Sequence, residues 1–225
     1  MTSIALEQVA CRAGARSLWH PATIALGPGV TVINGPSGSG KTTLLEVLAA
    51  LRRPDQGTVR WRGKRLAGRT LDEFRACRGY CPAERWDART MTVRTTLRWT
   101  AVLWGVGRPE AAAVREEMRW GLRECAAERV ALLSQGYQRR VLLASSLVMS
   151  PEVWLVDRPY EGLDLEGRVT MQTVLAAVLT GEPGVPRLAV LADAAAEDLP
   201  AALQTAPMGG GGLTLGRLSV SGADP

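Results

Sequence analysis

Residues 35–42 read GPSGSGKT, and this stretch decides the fold. It fits G-x-x-x-x-G-K-[ST] at every fixed position. The run before it, VTVI at 30–33, is β-branched and apolar, and the turn residues Asn34-Gly35-Pro36 follow it. After it, apolar residues at 44, 45, 47, 48 and 51 form a helical stripe, which predicts a helix over 41–51. A buried strand, a glycine-rich turn and a helix are what a phosphate cradle requires. Gly35, Gly38 and Gly40 let the backbone turn tightly enough for successive N–H groups to face one anion. The helix N-terminus adds its partial positive charge. Lys41 is placed to reach β- and γ-phosphates, and the Thr42 hydroxyl to ligate Mg²⁺.

Working outward, short β-like runs alternate with helical ones, which predicts an α/β fold. Strands are expected at 4–9, 22–26, 58–61, 153–157 and 188–192, and helices at 137–149 and 165–180. The alanine- and arginine-rich region 91–129 predicts two or three helices. The tail carries GGGG at 209–212 and a weak strand pair around LTLGRLSV.

The chain has 225 residues, a net charge of +5 and 46% hydrophobic content, consistent with a globular protein holding a sizeable core. Its inventory is uneven. There is one histidine, His20, and only two lysines, Lys41 and Lys64, against 25 arginines. A single histidine excludes a multi-histidine metal centre. The cysteines, Cys11, Cys77, Cys81 and Cys125, form no CxxC pair and are expected to be plain thiols. No apolar run approaches 18 residues, and the first residues lack the apolar core of a secretory signal, so a cytoplasmic chain is expected. The two lysines also narrow the nucleotide class. A guanine-recognising N/T-K-x-D element would need Lys64, but Arg65-Leu66 follow it, so a GTPase is excluded.

Two further stretches complete the pattern. LSQGYQRR occupies 133–140, and VWLVDRPYEGLD occupies 153–164. Asp157 follows Ser134 by 23 residues. GPSGSGKT, LSQGYQRR and VWLVD, in this order, resemble the P-loop, signature and Walker B motifs of the ATP-binding cassette (ABC) family, with Gly162-Leu163-Asp164 similar to its D-loop. The resemblance extends over about residues 4–220. It implies an α/β P-loop NTPase: a RecA-like mixed-sheet core with an N-terminal β-subdomain and an inserted helical subdomain. Residues 1–225 would form one ATP-binding domain, with the core at about 1–83 and 137–225 and the helical subdomain at about 84–136. The segment 79–97 is similar to the lobe-linking segment of ABC-2-type exporters.

The resemblance implies ATP and Mg²⁺ as cofactors. Gly35, Pro36, Ser37, Gly38, Ser39, Gly40, Lys41, Thr42 and Thr43 would bind the nucleotide, and Thr42 and Asp157 the metal. In the family two cassettes sandwich two ATP molecules, so Ser134, Gln135 and Gly136 would face the partner's nucleotide. Transmembrane permease subunits would be separate chains, and this one would lie on the inner face of the cell membrane. Trp86, Trp99 and Trp104 fall where the family docks those subunits, although tryptophans at helical spacing also build cores. No nucleic-acid partner is expected. A soluble non-transport ABC ATPase and an ATP-sensing regulatory subunit are the alternatives.

The pattern breaks at the catalytic positions. The family's glutamate after the Walker B aspartate is Arg158 here, which cannot serve as a base. Glu161, three residues on, belongs to the following turn. Where the family has a histidine that contacts the γ-phosphate, after strand 188–192, this chain has Asp193-Ala194-Ala195. Glu84 is the candidate substitute for a linking-segment glutamine. An adenine-stacking aromatic is expected near Arg12-Ala13, and none is present; Arg12 or Arg16 could stack instead, while Trp19 is expected nearer the core. These departures together predict a site that binds Mg-ATP and hydrolyses it poorly. They favour a heterodimer with a competent cassette over a homodimer.

Overall fold

A computed structural model describes residues 3–14, 16–83, 90–193, 203–207 and 214–218. Glu84, Trp86 and the GGGG run lie outside the described residues. The chain begins with strands β1 (Ile4–Ala13), β2 (Arg16–Leu26) and β3 (Gly29–Asn34), followed by helix α1 (Lys41–Leu48). Next come β4 (Gln56–Trp61), β5 (Lys64–Arg65), α2 (Gly68–Cys77) and β6 (Arg78–Cys81). Helices α3 (Val93–Leu103) and α4 (Pro109–Arg119), with a 3₁₀ turn at Val130–Leu132, lead into α5 (Gln135–Leu147). The chain continues with β7 (Val153–Asp157), α6 (Leu165–Thr180), β8 (Leu188–Ala192), β9 (Leu203–Pro207) and β10 (Thr214–Leu218).

Two sheets organise these elements. The smaller is antiparallel, in the order β2-β1-β4-β5. The larger is mixed, in the order β6-β7-β8-β3-β10-β9, with β6, β7, β8 and β3 parallel and β10 and β9 antiparallel. Every residue of β7 and β8 is buried, as continuous apolar runs in a sheet covered on both faces must be. Alternate residues divide two cores. Val153, Leu155 and Val190 pack with α1 and the antiparallel sheet, whereas Trp154, Val156 and Leu191 pack with α5 and α6.

The structure extends or corrects several sequence expectations. β1 and β2 run well past 4–9 and 22–26, through register shifts that bend the pair. Helix α1 stops at Leu48 rather than at residue 51, because Ala50 takes a left-handed φ of 54°. Among the described residues the LTLGRLSV stretch holds one strand, β10, which pairs with β9 on one side and β3 on the other. Helix α2 and strand β6 were not expected. Region 91–129 holds two α-helices, joined to each other by packing and by the bidentate Arg94–Glu117 pair at 2.9 Å. The four cysteines are free, and burial pushes the Cys77 and Cys81 thiols up to about 11. No cluster of metal-ligating side chains occurs among the described residues.

Gly79 in β6 shows how tightly α5 is set against the mixed sheet. A Cβ there would lie 2.2 Å from the Ser146 carbonyl oxygen and 2.9 Å from Pro151 Cγ. Backbone cannot yield as a side chain does, so Gly79→Ala is expected to cost about 2–3 kcal/mol. Thermal unfolding should show this as a fall in Tm of roughly 4–12 °C.

Candidate functional site

The parallel strands β3, β7 and β8 end at one edge of the sheet, and the chain that leaves them builds a cleft of ≈400 Å³. Its lining combines the 35–43 turn with Asp157, Arg158 and Asp193. Gly40 caps α1 in the left-handed region at φ 94°. A Cβ there would meet the buried Trp19 ring at 2.7 Å, so the turn admits no larger residue. The Lys41 ammonium donates to the Gly35 carbonyl at 2.7 Å and the Pro36 carbonyl at 3.0 Å, which curls it over the mouth of the turn.

Across the turn, Thr42 Oγ1 donates to Asp157 Oδ2 at 2.7 Å. Asp157 is 1% exposed, and its Oδ1 is buried without a hydrogen-bond partner, as is Ser39 Oγ. A buried carboxylate oxygen left in this condition is costly unless something engages it. A divalent cation beside Thr42 would do so, and hard oxygen donors suit Mg²⁺. Backbone N–H groups at a helix N-terminus and an ammonium on the same cleft suit a polyphosphate. The residues present therefore fit Mg²⁺ and a nucleotide.

Arg158 and Asp193 come together through strand register. β7 and β8 pair Asp157 with Ala192, so the next residue of each strand leaves the sheet beside the other. Both turn sharply, at φ 47° and 63°. Arg158 N–H donates to the Ala192 carbonyl at 2.8 Å, and Asp193 N–H to the Ile33 carbonyl at 2.9 Å. The Asp193 carboxylate lies 3.5 Å from Lys41 Nζ and 3.9 Å from Arg158 Nε. Arg158 also donates to Glu161 at 3.1 Å. That hydrogen bond is the main influence holding the guanidinium proton more firmly than usual, so no proton can be removed from this position to make a base.

The LSQGYQRR stretch forms the start of α5. The helix begins at Gln135 rather than at residue 137, because the Ser134 hydroxyl caps it by accepting from Tyr137 N–H at 3.4 Å. Ser134 and Gln135 are exposed, while Gly136 is buried against the Asp164 carboxylate. Arg140, 2% exposed, pairs with Asp164 at 2.6 Å and Glu166 at 2.9 Å, fixing Asp164 to α5.

Sequence reasoning passed over Arg139. Its buried guanidinium donates to the carbonyls of Pro82, Asp157 and Arg158 at 2.7–2.8 Å. It thus gathers the ends of β6 and β7 onto α5. Two adjacent arginines in a helix otherwise buried on nearly every side were the available signal. Leu18 was also missed, and it is the residue of the antiparallel sheet that lines the cleft. Arg12 is exposed and does not line it; the Arg16 and His20 side chains lie outside the described residues. Trp99 and Trp104 are 48% and 42% exposed at the end of α3, beside exposed Leu103, whereas Trp120 is fully buried.

Residues 22–161 match the family described as ABC transporter. The chain is similar to the cytochrome c biogenesis ATP-binding export protein CcmA of Bordetella bronchiseptica, 35% identical over 169 residues and 75% of each chain. It is also similar to the zinc import ATP-binding protein ZnuC of Pseudomonas fluorescens, 31% identical over 76% of this chain and 61% of that one. In fold it resembles a putative ABC transporter ATP-binding protein from Pyrococcus furiosus, with TM-score 0.72, 20% identity and coverage of 88% and 94%. A dimeric, post-hydrolysis structure of the cassette MJ0796 bound to ADP and Pi gives TM-score 0.71, 21% identity and coverage of 87% and 89%.

Proposed function

The chain belongs to the ABC transporter family, and from that premise we propose that it is the nucleotide-binding subunit of an ABC-type membrane exporter, with a hydrolysis-impaired site of its own. The observation that carries the reading is the cleft in which Lys41, Thr42 and Asp157 converge while Arg158 stands where a general base would be needed. Residues 35–43 hold the nucleotide phosphates, and Thr42 and Asp157 hold Mg²⁺. Magnesium supplies charge neutralisation at the phosphates; the chain's own part is to bind and orient them.

Lacking a glutamate after Asp157, the cleft retains ATP rather than cleaving it quickly. A positioned general base is worth roughly 10²–10⁴ in rate. Ser134 and Gln135, exposed at the start of α5, and the buried Gly136 beside them act on a partner's nucleotide. A heterodimer with a competent cassette therefore has one productive site, and a homodimer has none. The helical region that holds α3 and α4 contacts separate permease subunits, with the exposed Trp99, Leu103 and Trp104 supporting that role. No helix among the described residues is long and apolar enough to cross a membrane. Export is favoured by the similarity to CcmA and by the 79–97 segment. The chain's place is then the inner membrane face.

The test is phosphate release by the purified chain, alone and mixed with an ABC cassette that carries the glutamate after its Walker B aspartate. We expect Mg-ATP binding with little turnover alone, and turnover in the mixture that depends on Ser134. Vigorous hydrolysis by the chain alone would overturn the impaired-site reading. Co-purification with a soluble regulator or with RNA, and with no membrane protein, would overturn the exporter reading.

A further inference from the structure

We propose that Arg158 is a γ-phosphate ligand, and that the Arg158–Asp193 pair makes the cleft discriminate ATP from ADP through a reciprocal charge exchange. The inference rests on the nucleotide-binding reading above and adds a specificity-determining role at the two departing positions. Two adjacent parallel strands place these residues next to each other, and one carries a cation and the other an anion. Both line the same cleft as Lys41, and neither charge is buried, at 50% and 45% exposure.

Any phosphoryl group held by the Lys41 ammonium lies next to Asp193, whose carboxylate is 3.5 Å from Nζ. Alone, that carboxylate would repel a third phosphate. Arg158 answers it. The guanidinium carries several N–H donors in a planar fork; here it donates to exposed Glu161 and lies at ion-pair distance, 3.9 Å, from Asp193. Exposed pairs of this kind contribute little to stability, so exchanging a carboxylate for a phosphate oxygen carries a small penalty. The gain is a charge-assisted contact to the more highly charged anion. A diphosphate lacks the terminal group and gains less. Asp193 is the counter-charge that a terminal phosphate displaces from the guanidinium.

The experiment is equilibrium titration of the full chain with Mg-ATP and Mg-ADP, with no turnover needed. Arg158→Ala is expected to weaken ATP by about tenfold or more while moving ADP by less than about threefold. Arg158→Lys keeps the charge and recovers part of the preference. Asp193→Asn removes the opposing carboxylate and strengthens ATP, and in the Arg158→Ala background it gains more affinity than it gains alone, so the two effects do not add. If Arg158→Ala leaves both nucleotides unchanged, or weakens both equally, the pair is a surface ion pair only and the inference fails. Failure of the unmodified chain to bind either nucleotide would instead overturn the nucleotide-site reading itself.

Discussion

Lys41→Ala is expected to abolish nucleotide binding, raising the Kd for ATP and for ADP by about a hundredfold or more. The Lys41 side chain is 10% exposed and points its ammonium into the cleft from the first residue of α1. Removing it deletes a charge-assisted contact worth about 1.5–3 kcal/mol to each phosphate it reaches. It also leaves Asp157 and Asp193 facing the ligand with Arg158 as the cation among the charged lining residues. The two losses together pass the roughly 2.8 kcal/mol that corresponds to a hundredfold. The fold is expected to survive, since the ammonium's hydrogen bonds run only to the Gly35 and Pro36 carbonyls on the turn. Lys41→Arg keeps the charge but sets a broad planar fork in the space of a compact ammonium, and binding stays weak. Calorimetric titration reads all three chains. Binding by Lys41→Ala within about threefold of the parent would place the nucleotide somewhere other than this cleft.

The second large effect concerns turnover. Restoring a carboxylate and an imidazole, as Arg158→Glu with Asp193→His, is expected to raise kcat at saturating Mg-ATP by about 10²-fold or more. The carboxylate would leave β7 directly after Asp157, beside the Thr42–Asp157 contact. Arg158→Glu alone is expected to raise kcat less and KM more, because it deletes a cation and leaves Asp193 unanswered near Lys41. That split between kcat and KM separates a missing base from a weakened ligand. Unchanged kcat in the double variant, with nucleotide bound, would mean that another residue limits hydrolysis.

Much of this site was legible because its parts are local. GPSGSGKT carries strand, turn and helix within a dozen residues, and VWLVD is a buried strand that delivers a carboxylate at its end. The juxtaposition of Arg158 with Asp193 was not legible. It depends on the register of β7 against β8, which 30-odd intervening residues separate in sequence. Strand β6 escaped notice because four residues containing Arg78 and Gly79 show no period of two, and its burial comes from β7 and α5. Helix α2 carries a single buried side chain, Phe74, and so writes almost no apolar stripe. Strand β9 was hidden for a related reason: its β10 partner, not its own composition, makes it a strand. Leu18 enters the cleft because β1 and β2 shift register, which no residue count predicts.

The Arg139 fork reaches further than packing. By holding the carbonyls of Pro82, Asp157 and Arg158, it joins the helix capped by Ser134 to the strand end that carries Asp157. In the proposed dimer these two ends serve different nucleotides. A displacement of one therefore does work on the other, and thermodynamic linkage requires the influence to run equally in both directions. A cleft that seldom hydrolyses then still has a use. In the proposed heterodimer, ATP held there would set the affinity with which the partner's nucleotide is gripped, and the slow half would act as the timer for the fast one.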